Sequence, residues 1–143
     1  MYRKGRHFAL GEEKMVAMTL TKEMIEAGAV LLRKLDTSGV QPDAAFWFYF
    51  SDVQQWKLVL AEMKLGESGP REIYKKIQDV ISIYQTEMQN LALDDVTLAK
   101  PDAPIVGILR LAIRTGPGIS GIRFTNNVIN GTVIEDAYIY RLA

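Results

Sequence analysis

The chain has 143 residues, of which 48% are hydrophobic and 24% charged, as expected for one globular domain with a sizeable core. Its 17 basic and 17 acidic side chains balance, which argues against general attraction to nucleic acid or to a membrane surface. The absence of cysteine excludes thiol chemistry, and a single histidine, His7, argues against zinc and Ser-His catalytic sites. No apolar run approaches the ~20 residues of a membrane helix, so we expect a cytoplasmic protein without a cofactor.

The first predicted element is a helix. Residues 1–17 show no periodicity, and we expect them to form a loosely ordered N-terminal extension before a single α+β domain over residues 18–143. Thr21 is the predicted N-cap of the helix, because apolar residues recur at helical spacing from Met24 onward. Asp36-Thr37-Ser38-Gly39 predicts the end of the helix.

A strand over Ala44–Phe50 is predicted next, because it contains five consecutive aromatic residues. Alternation places Phe46, Phe48 and Phe50 on one face and Trp47 and Tyr49 on the other. Since neither face is polar, we expect both to be covered, either by helices or by a partner protein. Residues 56–63 are predicted to form the return strand of a hairpin.

The next two helices are each marked by a proline in the first turn, Pro70 and Pro104, where a missing N–H costs nothing. A short strand, Val96–Ala99, is predicted between them. Asp102 is the predicted N-cap of the third helix and Gly116 its left-handed C-terminal cap.

The chain ends in a predicted hairpin, in which Ile122–Ile129 pairs with Thr132–Leu142 around Asn130-Gly131, the strongest two-residue turn signal. The predicted order is α-β-β-α-β-α-β-β. Three helices and about five strands define an α+β fold with a mainly antiparallel sheet.

The segment Gly116–Gly121 reads G-x-G-x-x-G and has arginines nearby. Dinucleotide-binding loops of this spelling follow a strand and open a helix, whereas this one follows a helix, whose C-terminal end repels anions. It is therefore predicted to be a tight turn. A small anionic ligand held by the amides of Gly116, Gly118 and Gly121, with Arg114 and Arg123, is the functional alternative.

Two polar side chains fall on an otherwise apolar face of the final hairpin, the predicted core face, which also carries Val128 and Val133. The Asn130-Gly131 turn places Asn126 opposite Glu135 in the register. They form either a small polar pocket in which Glu135 binds a ligand, or a solvated pair beyond the edge of the core. On the opposite face, Arg123 is predicted to contact Tyr138 and Asp136.

Pro42-Asp43 followed by Glu62-Met63-Lys64 resembles the P-D…E-x-K signature of the metal-dependent nuclease superfamily. The resemblance covers about residues 21–84 and implies that Asp43 and Glu62 hold a divalent metal while Lys64 positions water.

The sequence thus favours a binding or protein-interaction module, either a homo-oligomer or one that takes a protein partner. A metal-dependent phosphodiesterase or nuclease using Asp43, Glu62 and Lys64 is the alternative.

Overall fold

The computed structural model of the protein describes residues 19–63, 69–100 and 102–143. The predicted N-terminal extension lies outside these residues. The described part contains three helices, a short 3₁₀ turn and five strands, which confirms the α+β class. In chain order the elements are α1 (Lys22–Thr37), β1 (Ala44–Phe50), β2 (Gln55–Ala61), α2 (Pro70–Ile83), the 3₁₀ turn (Leu93–Asp95), β3 (Val96–Ala99), α3 (Pro104–Ala112), β4 (Ile122–Ile129) and β5 (Thr132–Leu142).

The five strands form one sheet in the order β3-β2-β1-β5-β4. β1 is antiparallel to both of its neighbours, and β4 is antiparallel to β5. β2 and β3 are parallel, because α2 lies between them in the chain and carries it back to the starting end of the sheet. The sheet is therefore mixed and not purely antiparallel. None of the helices in the described ranges is long and apolar enough to cross a membrane.

The sheet separates two hydrophobic clusters, and β1 contributes to both. Trp47 and Tyr49 are 0% and 6% exposed and lie in the cluster with α1 and α2. Phe46 lies on the opposite face, in the cluster beneath α3. The prediction that both faces of the aromatic strand are covered is confirmed, and the rings of Trp47 and Tyr49 are not available to a partner protein.

The ends of α1 follow from local sequence. Thr21 Oγ1 accepts a hydrogen bond from the Met24 amide at 3.1 Å, which confirms the predicted N-cap. The helix ends at Thr37, and Gly39 adopts a positive φ of 89° that leads the chain into the turn. Pro70 begins α2, as predicted.

Helix α3 differs from its prediction at both ends. Pro104 opens it as predicted, but its N-cap is Ala103 without a side-chain bond, so Asp102 is not the cap. It ends at Ala112 and not near Gly116, and the chain is extended at Ile113 (φ −134°). Of the glycines described, only Gly39 and Gly131 have positive φ, so the predicted left-handed cap at Gly116 is wrong.

The end of β5 accounts for the early end of α3. The amide of Thr115 donates to the Leu142 carbonyl, and the Leu142 amide donates to Thr115 Oγ1, both at 2.9 Å. These bonds hold the chain after α3 in an extended conformation. Arg114 therefore lies in an extended segment and not on the last helical turn.

The final hairpin has the predicted strands and turn. Ile129 pairs with Thr132, and Asn130 and Gly131 have φ of 50° and 82°. Positive φ at both positions is the geometry of a type I′ turn, which matches the twist of paired strands.

A bulge near the end of β5 brings successive side chains into buried positions. Ala45 pairs with Arg141 but Phe46 pairs with Ile139, so Tyr140 is the extra residue. Tyr140 lies in the α1–α2 cluster, and Arg141 beside it is only 4% exposed.

Candidate functional site

The Gly116–Gly121 loop is tied to β5. The Ser120 amide donates to the Tyr140 carbonyl at 2.7 Å, and the Gly118 carbonyl accepts from Arg141 Nε at 3.1 Å. Gly121 lies against the Tyr138 ring, where a Cβ would meet the hydroxyl. These bonds direct one loop amide to the sheet and one loop carbonyl to an arginine. An anion site needs the reverse arrangement, in which loop amides point toward the ligand. They lend no support to the predicted anion site, which stays a prediction.

The two arginines predicted to serve that site have different surroundings. Arg114 is exposed. Arg123 donates two hydrogen bonds of 2.7 Å to the Asp136 carboxylate, and this contact raises the pKa of Arg123 above its ordinary value. Its predicted salt bridge to Asp136 is therefore present. Arg123 lies opposite Tyr138 in the register, as predicted, but the ring beneath its guanidinium is Trp56, at 5.7 Å.

Arg141, near the end of β5, is a buried arginine that the sequence did not single out. Arg141 donates to both Asp36 oxygens at 3.0 and 2.7 Å, and to the Pro42 carbonyl at 2.8 Å, in addition to its bond with Gly118. All three guanidinium nitrogens are thus engaged. The sequence carried one sign of this residue's role, an arginine among apolar residues at the end of a predicted strand. A cation buried there requires hydrogen-bond partners.

Arg141 also lines a cleft of about 220 Å³. Two prolines and three carboxylate or amide side chains form the rest of its walls, and the lining residues are Asp36, Gln41, Pro42, Asp43, Pro117 and Arg141. Because Arg141 is held by Asp36 and by two carbonyls, its contacts at this cleft connect segments of the chain and leave no guanidinium nitrogen without a partner.

The residues of the nuclease-like pattern are partly brought together. The Asp43 amide donates to the Glu62 carbonyl at 3.3 Å, so the two residues are neighbours at the open end of the β1–β2 hairpin, as expected. Lys64 lies outside the described residues. Arg110 donates to both Glu62 oxygens at 3.0 and 2.6 Å, and this contact raises the pKa of Arg110, with Asp43 adding to the effect.

The Arg110 contact occupies the carboxylate that a metal ion would need. Within the described ranges, no group of three or more His, Cys, Asp and Glu side chains is placed to hold a metal ion. These contacts lend no support to the metal site that the resemblance implies, which stays a prediction.

The predicted polar pair of the hairpin does not lie on the core face, because both Asn126 and Glu135 are exposed. Asn126 has a φ of 49°, a left-handed conformation that asparagine tolerates and that interrupts the regular alternation of a strand. As a result, the β5 residue before Ala137 whose side chain packs in the cluster beneath α3 is Ile134 and not Glu135. Val128, predicted on the core face, is exposed.

This change of face leaves a distinctive surface on the part of the hairpin that we call the outer hairpin, residues 124–134. Its sequence, Phe-Thr-Asn-Asn-Val-Ile-Asn-Gly-Thr-Val-Ile, contains no charged residue, although 24% of the chain is charged. Val128 and Val133 pair directly across the two strands and are 66% and 64% exposed. Neighbouring valines on a pleated surface form a continuous apolar patch.

The two edges of the sheet differ in how they are protected. At the β3 edge, the Leu98 amide donates to the Tyr74 hydroxyl of α2 at 3.1 Å, so a side chain covers part of that edge. β4 forms the other edge and has no strand beside it among the described residues. Charged residues or proline usually block pairing at such an edge, and the outer hairpin contains neither.

A scan against models of protein families, a search of curated proteins and a search of solved structures each found no match. What the protein does must therefore be inferred from its own surface.

Proposed function

We propose that this protein is a protein-interaction module that binds its partner through the outer hairpin. The observation that carries the proposal is the exposed Val128–Val133 pair on the outer hairpin, which contains no charged residue and includes the end of the edge strand β4. An edge strand offers main-chain donors and acceptors to an added strand, and the exposed valines offer apolar surface beside them.

The expected affinity is modest. Burying a valine side chain completely contributes about 1.5 kcal/mol or more, so two valines supply roughly 3 kcal/mol before the cost of association is subtracted. Main-chain hydrogen bonds along β4 add to this. A dissociation constant in the micromolar to millimolar range, about −8 to −4 kcal/mol, is therefore expected.

Because the chain contains no cysteine, a single introduced thiol can be labelled selectively. Val128→Cys, coupled to a photoreactive benzophenone maleimide, is irradiated in lysate of the source organism. The matched control is Val53→Cys, because Val53 is 60% exposed in the turn between β1 and β2. We expect discrete protein adducts from position 128 and few from position 53.

Competition makes the result specific to the surface. Excess unlabelled wild-type protein should change the adducts at position 128, either by competing for another partner or by being captured itself, whereas a Val128→Lys/Val133→Lys variant should do neither, because two cations beside β4 oppose strand addition. Equal adducts from both positions, or equal competition by both proteins, would rule out the outer hairpin as the binding surface.

A further inference from the structure

We infer that the partner at the outer hairpin is a second copy of this chain, paired antiparallel along β4 about a two-fold axis at Val128. The inference rests on the proposed function and names its partner. It follows from three properties of the hairpin: the direction of its backbone groups, the position of its valines and the absence of charge.

The first property is the direction of the backbone groups. Ile129 and Thr132 flank a two-residue turn and form the closing hydrogen-bonded pair of the hairpin. In an antiparallel ladder, hydrogen-bonded and non-hydrogen-bonded pairs alternate, so Val128 and Val133 form a non-hydrogen-bonded pair. The amide and carbonyl of Val128 therefore point away from β5, toward the open side of β4.

The second property is the position of the valines. If Val128 pairs with Val128 of the second copy, each donates its amide to the other's carbonyl across the two-fold axis. The order of strands is then β5, β4, β4 and β5. Val133 and Val128 of each copy form a row of four valines on one face of the joined sheet.

The third property is charge. In this register Asn127 faces Ile129 of the second copy, and Asn126 lies level with its Asn130, so no charged residue enters the overlap. The chain as a whole has balanced charge, so two copies approach without net repulsion. A symmetric interface brings every residue near its own copy, and an uncharged segment is the kind that tolerates this.

The overlap is short. Asn126 and Asn130 both have left-handed φ, which confines regular pairing to residues 127–129 of each copy. An interface built on three residues and a valine row falls below the ~1,200 Å² of stable complexes, so a weak, concentration-dependent dimer is expected.

Disulfide trapping of the full chain tests the register. In the proposed dimer, the two Val128 Cα atoms lie about 5.5 Å apart, within the range that a disulfide bridges. The two Val133 positions are separated by three strand spacings, about 14 Å, which is beyond that range. Val128→Cys, Val133→Cys and Val53→Cys are each oxidised at about 100 µM and examined by non-reducing electrophoresis.

We expect Val128→Cys to give about tenfold more covalent dimer than either control, because only its thiols meet at the axis. Dimer formation by Val128→Cys at the level of the controls would overturn the inference, as would equal trapping at positions 128 and 133. If trapping fails while the benzophenone adducts in lysate appear, the occupant is a different protein and the proposed function stands. If both fail, both proposals fall.

Discussion

At the scale of single residues, Gly28 of α1 lies close against an aromatic pair, Trp47 of β1 and Tyr140 of β5. Tyr140 donates from its hydroxyl to the Ile25 carbonyl at 2.5 Å and accepts from Trp47 Nε1 at 3.0 Å. Burial raises the pKa of Tyr140, so the hydroxyl remains protonated and keeps its donor role. A Cβ at position 28 would meet the Tyr140 hydroxyl and lie 2.9 Å from Trp47 Nε1.

We therefore expect Gly28→Ala to destabilise the protein, although alanine is the better helix former. Overpacking costs typically about 1–3 kcal/mol, against a gain of about 1 kcal/mol in helix propensity. Gly107→Ala is the matched control, because Gly107 is exposed on α3 and a Cβ there meets nothing within 4 Å. That control should raise stability by about 0.5–1 kcal/mol. Urea denaturation of the two variants measures both changes in the free energy of unfolding. Stabilisation by Gly28→Ala would contradict the prediction, because it would mean that the Trp47 and Tyr140 rings move aside to accommodate the added methyl group.

At the scale of elements, Arg141 joins four segments that are distant in the chain. Its guanidinium connects the end of α1 at Asp36, the following turn at Pro42, the glycine loop at Gly118 and the last residues of β5. Arg123 and Asp136 form an ion pair with the same bidentate geometry, but its side chains are 46% and 25% exposed, against 5% and 26% for Arg141 and Asp36. The two pairs differ chiefly in the burial of the arginine.

Arg141→Ala should cost about 3–5 kcal/mol, because it leaves two carbonyls and a carboxylate without their donor in a buried place. Arg123→Ala should cost about 0–1 kcal/mol, since water replaces its partner at the surface. Arg141→Lys, which keeps the charge but cannot form the planar fork, should fall between wild type and Arg141→Ala. Thermal or urea unfolding of the three variants measures the differences. Equal losses for Arg141→Ala and Arg123→Ala would contradict a structural role specific to the buried arginine.

The elements also show what could be predicted from the sequence and why. The strands β1, β4 and β5 and the start of α1 were predictable because alternation, turn residues and the Thr21 cap are local signals. The end of α3 was not, because hydrogen bonds from Leu142, far along the chain, decide it. The same holds for Arg141, whose partners are distant in sequence. The change of face at Asn126 depends on one left-handed residue that alternation does not reveal.

The candidate surface was missed for the same reason. Alternation placed Val128 and Val133 on the face that packs on the core, so their exposure could not be anticipated before the conformation of Asn126 was known. The absence of charge in the outer hairpin was visible in the sequence, but only its place at a sheet edge gives it meaning.

At the scale of the whole molecule, one sheet carries a hydrophobic cluster on each face. Both tryptophans, Trp47 and Trp56, belong to the cluster with α1 and α2. The cluster beneath α3 contains Val106 and Leu109, both fully buried, and no tryptophan. β1 lies at the centre of the sheet and places Phe46 in one cluster and Trp47 in the other, so a loss of packing on one face disturbs the strand that supports the opposite face.

We therefore expect the two clusters to unfold together, and Val106→Ala tests this from the face without tryptophan. Removing two buried methyl groups should cost about 2 kcal/mol. If the sheet couples the clusters, the transition seen by tryptophan fluorescence and that seen by far-ultraviolet circular dichroism should shift by the same amount and remain coincident. Leu111→Ala is the control, because Leu111 lies on the same helix but is 68% exposed, and it should shift neither transition appreciably. A fluorescence transition that stays in place while the dichroism transition moves would mean that the face beneath α3 unfolds independently, and that the sheet does not make the described chain one cooperative unit.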